Sequence, residues 1–268
     1  MKAAAQVTPG MHSILDPSIK ISVPAGLCAL AIMTKAPRAG SVKTRLQPVL
    51  TPAEAASLNV CFLRDVAAAI AEASYRDKGL SRSAIARGVA VFTPPGSEAE
   101  YEEILPADFN LLPQRGADFG ERLTFAAEDL LRIGFESCCL INSDSPTATA
   151  EGFRTAASSL HAKDDRHLVL GPSDDGGYYL VGMKKLYRHI FEEIDWSTGR
   201  VLTQTIERAG EIGLDVEVLP SFFDVDDAAA LRRLCEELFE ANKSGAPATR
   251  AFLQELIARE GRERIWPR

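Results

Sequence analysis

Four basic residues, Lys35, Arg38, Lys43 and Arg45, crowd the stretch LAIMTKAPRAGSVKTRL (residues 30–46) of a chain whose formal net charge is −7. A basic loop opening from an apolar strand suits an anion. A guanidinium grips phosphate oxygens in a two-pronged fork, and ammonium groups act as point charges. Lys35, Lys43 and Arg45 are therefore the candidate phosphate ligands, against the plainer reading of a solvated loop. Two familiar phosphate loops are excluded. GxGxxG is absent, and in GSVKT the residues Val42 and Pro37 stand where a P-loop requires glycine.

Carboxylates gather at two other places. In CCLINSDSP (138–146), Asp144 follows an apolar run, where a charge is costly unless solvated, used as a turn cap or bound to a cation. In FFDVDD (222–227), an extended backbone turns Asp224 and Asp226 to one side, and Asp227 is placed to cap the next helix. Magnesium or manganese takes one or two protein carboxylates and fills its shell with water and phosphate oxygens. One aspartate from each strand end, joined through a nucleotide diphosphate, meets that need; a cap with two solvated neighbours is the alternative. DDGGYY (174–179) either lets a ligand approach its backbone or makes a tight turn. GADFGERL (116–123) puts Arg122 in a first helical turn, suited to a phosphate or ribose contact or to a surface ion pair. Trp196, in DWSTGR, is read as a packing residue rather than a stacking platform.

The elements that position these residues alternate short apolar runs with amphipathic helices, an α/β pattern. Strands are expected at 27–33, 88–93, 110–113, 138–141, 167–170, 178–183 and 216–219. Helices are expected at 97–105, 119–133, 150–161, 199–212 and 227–241, with a last one around Leu253 and Leu256. Another opens at the capping box TPAE (51–54), where Leu58, Phe62, Val66 and Ile70 mark one buried face. The turn between 170 and 178 leaves no room for a crossover helix, so strand 178–183 should run antiparallel to its predecessor. One domain is expected, with a poorly ordered tail over 1–24, a body over 25–245 and a helical extension over 246–268.

Composition excludes several classes. Hydrophobic residues make up 46% of the chain and charged residues 25%, as in ordinary soluble proteins. The acidic balance argues against nucleic-acid binding. No run approaches the ~20 apolar residues of a membrane span. The five cysteines form no CxxC pair, and the four histidines show no zinc spacing. A cytoplasmic protein with reduced thiols is expected.

Six segments in order, KAPRAGSVKTRL, GADFGERL, SDSP, GPSDDGGYYLVG, WST…VLTQT and DVDD, resemble the radical-SAM/selenodomain-associated transferase 1 family. The resemblance runs from about Leu27 to Leu231. That group is glycosyltransferase-like, with the GT-A fold, and is related to molybdenum-cofactor and 2-phospho-L-lactate guanylyltransferases. It implies a three-layer α/β/α fold with a mixed, mostly parallel sheet and a nucleotide or nucleotide-sugar donor. A Mg2+ or Mn2+ ion would sit on Asp144 and on the DVD carboxylates, Asp226 in preference to Asp224. The family usually has glycine where this chain has Asn142. The expected activity is sugar transfer to a small acceptor lying over Gly176, Gly177 and Tyr178, with Asp175 orienting or deprotonating its hydroxyl. Nucleotidyl transfer to an anionic acceptor held by the basic loop, and noncatalytic nucleotide binding, are the alternatives.

Overall fold

A computed structural model describes residues 12–21, 23–47, 49–78, 81–241 and 245–266. The strands are β1 (Ser13–Ile14), β2 (Cys28–Lys35), β3 (Tyr75–Lys78), β4 (Ser81–Ala84), β5 (Ala86–Thr93), β6 (Asn110–Pro113), β7 (Ser137–Ile141), β8 (His167–Pro172), β9 (Tyr178–Met183) and β10 (Asp215–Val218). The helices are α1 (Pro52–Ala73), α2 (Phe119–Ile133), α3 (Ala150–Ala162), α4 (Val201–Glu211), α5 (Ala228–Cys235), α6 (Pro247–Glu260) and the short α7 (Arg262–Ile265). Among the described residues none of them is long and apolar enough to cross a membrane.

Eight strands form one sheet in the order β1-β6-β5-β2-β7-β9-β8-β10, all parallel except β9, which runs antiparallel to both β7 and β8. The short turn after Pro172 dictates that reversal, as expected. Strand alternation builds the layers. Cys28, Leu30 and Ile32 of β2 face α1 and α3, while Ala29 and Ala31 face α2. The result is a three-layer α/β/α arrangement with a mixed, mostly parallel sheet. A third apolar cluster lies outside α1, where Leu58 and Phe62 meet Leu231 and Leu234 of α5, Leu253 and Leu256 of α6, and Trp266.

Local chemistry sets the helix ends. The Thr51 hydroxyl accepts from Glu54 N (3.2 Å), and Glu54 accepts in return from Thr51 N (2.8 Å), closing the capping box. Asp227 caps α5 through Ala230 N. The buried Asp65 of α1 reaches across to accept from Ala248 N and Thr249 N, so α1 caps the start of α6.

The structure departs from the sequence reading at four places. Ser97 forms no helix cap; its hydroxyl donates back to the Pro94 carbonyl (2.7 Å), and only a 3-10 turn, Glu98–Tyr101, follows. The helix after Asp227 leaves α geometry at Cys235 and continues as a π-helical turn, Glu236–Glu240. The hairpin of β3 and β4 was invisible because YRDK and SRSA carry no alternating apolar pattern. The tail assigned to 1–24 is docked in its second half: β1 pairs with β6, Leu15 is buried, and Ile21 N donates to the Ile133 carbonyl. Residues 1–11 lie outside the described residues.

Glu54 also accepts from Arg264 (2.5 Å) and Arg259 (3.1 Å), tying α1 to the C-terminal helices. Burial opposes its charge, but Arg264 and the Thr51 contacts prevail and hold its carboxyl at about 2. Because this value lies below that of the unfolded chain, the stabilisation is complete above pH ~4.5 and is lost as pH falls toward ~2. Glu54→Gln should therefore lower the urea midpoint at neutral pH and flatten its decline between pH ~5 and ~2.

Candidate active site

The site forms at the carboxyl ends of β2 and β7, where open α/β sheets leave a crevice. Backbone hydrogen bonds assemble it. Phe222 N donates to the Pro172 carbonyl (3.1 Å), Asp174 N to the Phe222 carbonyl (3.0 Å) and Val225 N to the Asp144 carbonyl (2.9 Å). Residues 222–225 are thereby laid between the end of β8 and the loop after β7. Val225 is fully buried, so the flanking Asp224 and Asp226 turn toward the crevice, as alternation requires.

Lys43 lies at the centre. Its backbone is left-handed (φ 48°, ψ 37°), a conformation costing a non-glycine residue roughly 1–2 kcal/mol. The 3-10 turn Thr44–Leu46 follows, anchored by the fully buried Leu46. The lysine head lies over the Phe62 ring, 5.1 Å from its centroid. Nζ donates to the Val225 carbonyl (2.9 Å) and to Asp226 Oδ1 (3.0 Å), and stands 2.6 Å from Asp144 Oδ1. The side chain is 4% exposed, and its two aspartates about a third (34% and 35%). Burial works against the ammonium charge, but Asp144 and Asp226 outweigh it and raise the Lys43 pKa. Arg45, mostly exposed, adds a 2.7 Å contact to Asp226 Oδ2. Burial disfavours the Asp226 carboxylate too, yet Lys43 and Arg45 hold its pKa below the ordinary value.

Among the described residues Asp224 meets neutral partners, the Asn142 amide (2.7 Å) and the Ser145 hydroxyl (2.5 Å). Burial, reinforced by repulsion from Asp144 and Asp175, pushes its carboxyl up to about 6 despite those bonds. Asn142 thus serves as a donor to this carboxylate.

The crevice has two lobes that share Met33, Arg45, Phe119, Ser143, Asp144 and Asp226. One, of about 310 Å³, is lined by Lys35, Lys43 and Arg122 together with Asn59 and Gln114. The other, of about 470 Å³, is lined by Asp175, Gly177, Tyr178, Trp196 and Asp224. Arg122 donates to the Gly116 and Ala117 carbonyls (both 3.3 Å) while facing the first lobe. Arg38, the fourth basic residue of the opening loop, is drawn away to Glu100.

Most of the expected residues therefore meet in one crevice, with two differences of placement. Gly176 does not line it. With φ +87°, its Cα packs against Gly199, whose carbonyl oxygen would lie 2.3 Å from an added Cβ. The first glycine of the pair is needed for the turn, and only Gly177 reaches the second lobe. Trp196, read as packing, does both: it stands edge-on to Phe119 (centroids 5.0 Å apart) and walls the lobe. Asn59 and Phe119 escaped the sequence reading. Asn59 is 4% exposed, its Oδ1 has no hydrogen-bond partner, and it lines the first lobe. Its signal was a lone amide inside the apolar run LNVCFL. Phe119, the first residue of α2, is 48% exposed and lines both lobes.

A family profile described as "Uncharacterized protein conserved in bacteria (DUF2064)" matches residues 79–198, a span that includes Asp144 and Asp175 but not Lys43 or Asp226. No curated protein matches the sequence. The solved structure of a candidate nucleotide-diphospho-sugar transferase from Desulfovibrio desulfuricans G20 is similar, at TM-score 0.73 and 27% identity over 88% of this chain and 98% of that one. Weaker likenesses are to a CMP:2-keto-3-deoxy-manno-octonic acid synthetase complexed with CTP (TM-score 0.48, 11% identity, 80% of this chain, 99% of that one) and to a cytidylyltransferase from Leptospira borgpetersenii (0.45, 13%, 91% and 98%). Those two carry no weight for function. The fold is that of nucleotide-diphospho-sugar transferases.

Two outcomes follow from the charges. Lys43→Met keeps the stem but leaves Asp144 and Asp226 facing each other; urea unfolding should show a loss of about 2 kcal/mol, below the 3–5 kcal/mol of a fully buried pair because both aspartates are partly solvated. Adding Asp226→Asn should recover part of it. In a carboxyl NMR titration Asp224 should titrate near 6, above the ordinary 3.8, so its contribution to stability is full below about 3.8 and lost as pH rises through 6. Asn142→Ala, which removes a bond to the ionised form, should move that titration higher still.

Proposed function

We propose that the protein is a metal-dependent glycosyltransferase that moves a sugar from a nucleoside-diphosphate sugar to a hydroxyl of a small acceptor, in line with its resemblance to the radical-SAM/selenodomain-associated transferase 1 family. One observation carries this reading: the crevice is basic on one side and acidic on the other, and Lys43, Asp144 and Asp226 stand at the boundary. The likeness to the Desulfovibrio structure supports it.

The donor's diphosphate belongs in the basic lobe, where Lys35, Arg45 and Arg122 supply charge, while the unpartnered Asn59 Oδ1 is placed to accept from a hydroxyl or N–H of the nucleotide. Among the described residues no three His, Cys, Asp or Glu side chains form a metal-holding group of their own. The residues present nevertheless suit an ion that takes part of its shell from the substrate. Asp144 and Asp226 already share one cation, the Lys43 ammonium, and Asp224 is a further carboxylate lacking a cationic partner. Asp144 and Asp226 would hold Mg2+ or Mn2+, which when bound neutralises charge on the diphosphate. Lys43, freed from one carboxylate, would turn its ammonium to a phosphate oxygen. Asp175, whose Oδ1 accepts from Gly177 N (2.9 Å), lines the acidic lobe as the group that takes the acceptor's proton. In the transfer, the acceptor oxygen bonds to the anomeric carbon, the bond from that carbon to the diphosphate breaks, and the nucleoside diphosphate leaves with the electron pair.

Nucleotidyl transfer is the second reading. It is favoured by the basic lobe's three cations beyond Lys43, enough for a triphosphate. The products separate the two: nucleotide sugars would yield a nucleoside diphosphate, and nucleoside triphosphates would yield pyrophosphate. Tight nucleotide binding with neither product would leave a noncatalytic binder.

Asp144→Ala should abolish metal-dependent nucleotide binding in calorimetry while leaving the circular dichroism spectrum intact; undiminished binding would remove Asp144 from the site. Asn59→Ala breaks no hydrogen bond within the protein, so it should leave thermal stability nearly unchanged and weaken nucleotide binding roughly tenfold, the loss of about one hydrogen bond.

A further inference from the structure

The acidic lobe carries information about the acceptor. Its lining holds four carboxylates, Asp144, Asp175, Asp224 and Asp226, and among the described residues a single cation, Arg45, already bound to Asp226. Lys43 and Arg45 offset Asp144 and Asp226. Among the described residues no cation offsets the other two: Asp224 accepts from an amide and a hydroxyl, and Asp175 from the backbone of its own turn. An anionic group entering this lobe meets like charges in a confined space. The same lobe is lined by the exposed Phe119, which also lines the basic lobe, and by Trp196 edge-on to it, an aromatic wall. Ser197 and Thr198 add neutral hydroxyls, and the Gly176–Gly199 packing fixes their loop against the DDGG turn. Carboxylates that accept from hydroxyls, in one lobe with an aromatic surface for C–H groups, make a surface for an uncharged polyol ring.

We propose that the acidic lobe selects an uncharged, polyhydroxylated acceptor seated against Phe119 and Trp196, and rejects its phosphorylated or carboxylated counterpart. The inference rests on the transferase reading for calling the ligand an acceptor; the preference itself belongs to the lobe. It runs against an anionic acceptor, the partner that a basic loop suggests on sequence grounds. In the transfer step the hydroxyl proton passes to Asp175 as its oxygen bonds to the anomeric carbon and the diphosphate departs.

The test is saturation-transfer NMR on the full chain with Mg2+. The probes are the methyl glycosides of glucose, galactose and mannose, each compared with its sugar 6-phosphate and its uronate. At least one neutral glycoside should receive saturation at its ring protons, lost in Trp196→Ala and Phe119→Ala, and should bind at least tenfold tighter than its charged counterparts at this wall. Asp175→Asn combined with Asp224→Asn should erase most of that preference, and in the unaltered protein added salt should narrow it, since screening weakens repulsion between partly exposed charges. Equal or tighter wall-dependent binding of the anions, no neutral binder at all, or a preference indifferent to both the asparagine pair and salt would each overturn the proposal. Should the preference hold while neither nucleoside diphosphate nor pyrophosphate is ever released, the lobe's selectivity stands and the transferase reading falls.

Discussion

Everything in the crevice is arranged around one buried ammonium. Lys43 is removed from water and shared by two carboxylates that belong to different strand ends, and a third bond goes to the backbone between them. Such a cluster adds little net stability, because desolvation consumes much of the Coulombic gain. It does specify position. The loop after β2, the turn after β7 and the segment before α5 can each take many conformations alone, and the lysine admits only those that bring all three together. The left-handed backbone at Lys43 fits this view: a residue is held in that region only where its surroundings over-determine it.

The same cluster separates two carboxylates only two residues apart. Asp226 faces two cations and stays ionised well into acid, whereas Asp224 faces an amide and a hydroxyl and is raised to about 6. Environment, not residue type, gives them different chemistry. Asp226 is suited to hold a cation permanently. Asp224, at about 6, is mostly ionised at neutral pH but lies close enough to its titration that added negative charge nearby would favour its protonation and added positive charge would hold it ionised.

The fold was legible because its signals are local. The short continuous apolar runs of β2 and β7, the four-residue spacing along α1 and the short turn before β9 each determine one element, and together they leave few topologies. The site was legible as a set of residues, since Lys43, Arg45, Asp144 and Asp226 stand at strand ends where charges have no reason to lie in the core. Their pairing was not. Sequence suggested that the lysines await a phosphate and the aspartates a metal; the folded chain closes these opposite charges on each other first. Nor was the role of Gly176 visible, because a tight turn and a ligand platform call for the same residue, and only the approach of Gly199 decides between them. Nor could the sequence pair Asn142 with Asp224, which the fold brings to it from 82 residues away.

Polarity across the crevice also orders the chemistry. A leaving group that gains negative charge is best held where cations gather, and a nucleophile that must lose a proton is best held where carboxylates gather. The sheet supplies both sides from different elements: the basic lobe from the loop after β2 and the start of α2, the acidic lobe from the β8–β9 turn and the segment before α5. Because Asp144 and Asp226 belong to both lobes, a ligand that engages them on one side alters the field on the other. A diphosphate that draws Lys43 toward itself would strip the two aspartates of their partner and make the acidic lobe more negative. On the proposed reading, a divalent cation arriving with the diphosphate would restore the balance, so donor and metal would reinforce each other, and neither alone would leave the charges satisfied.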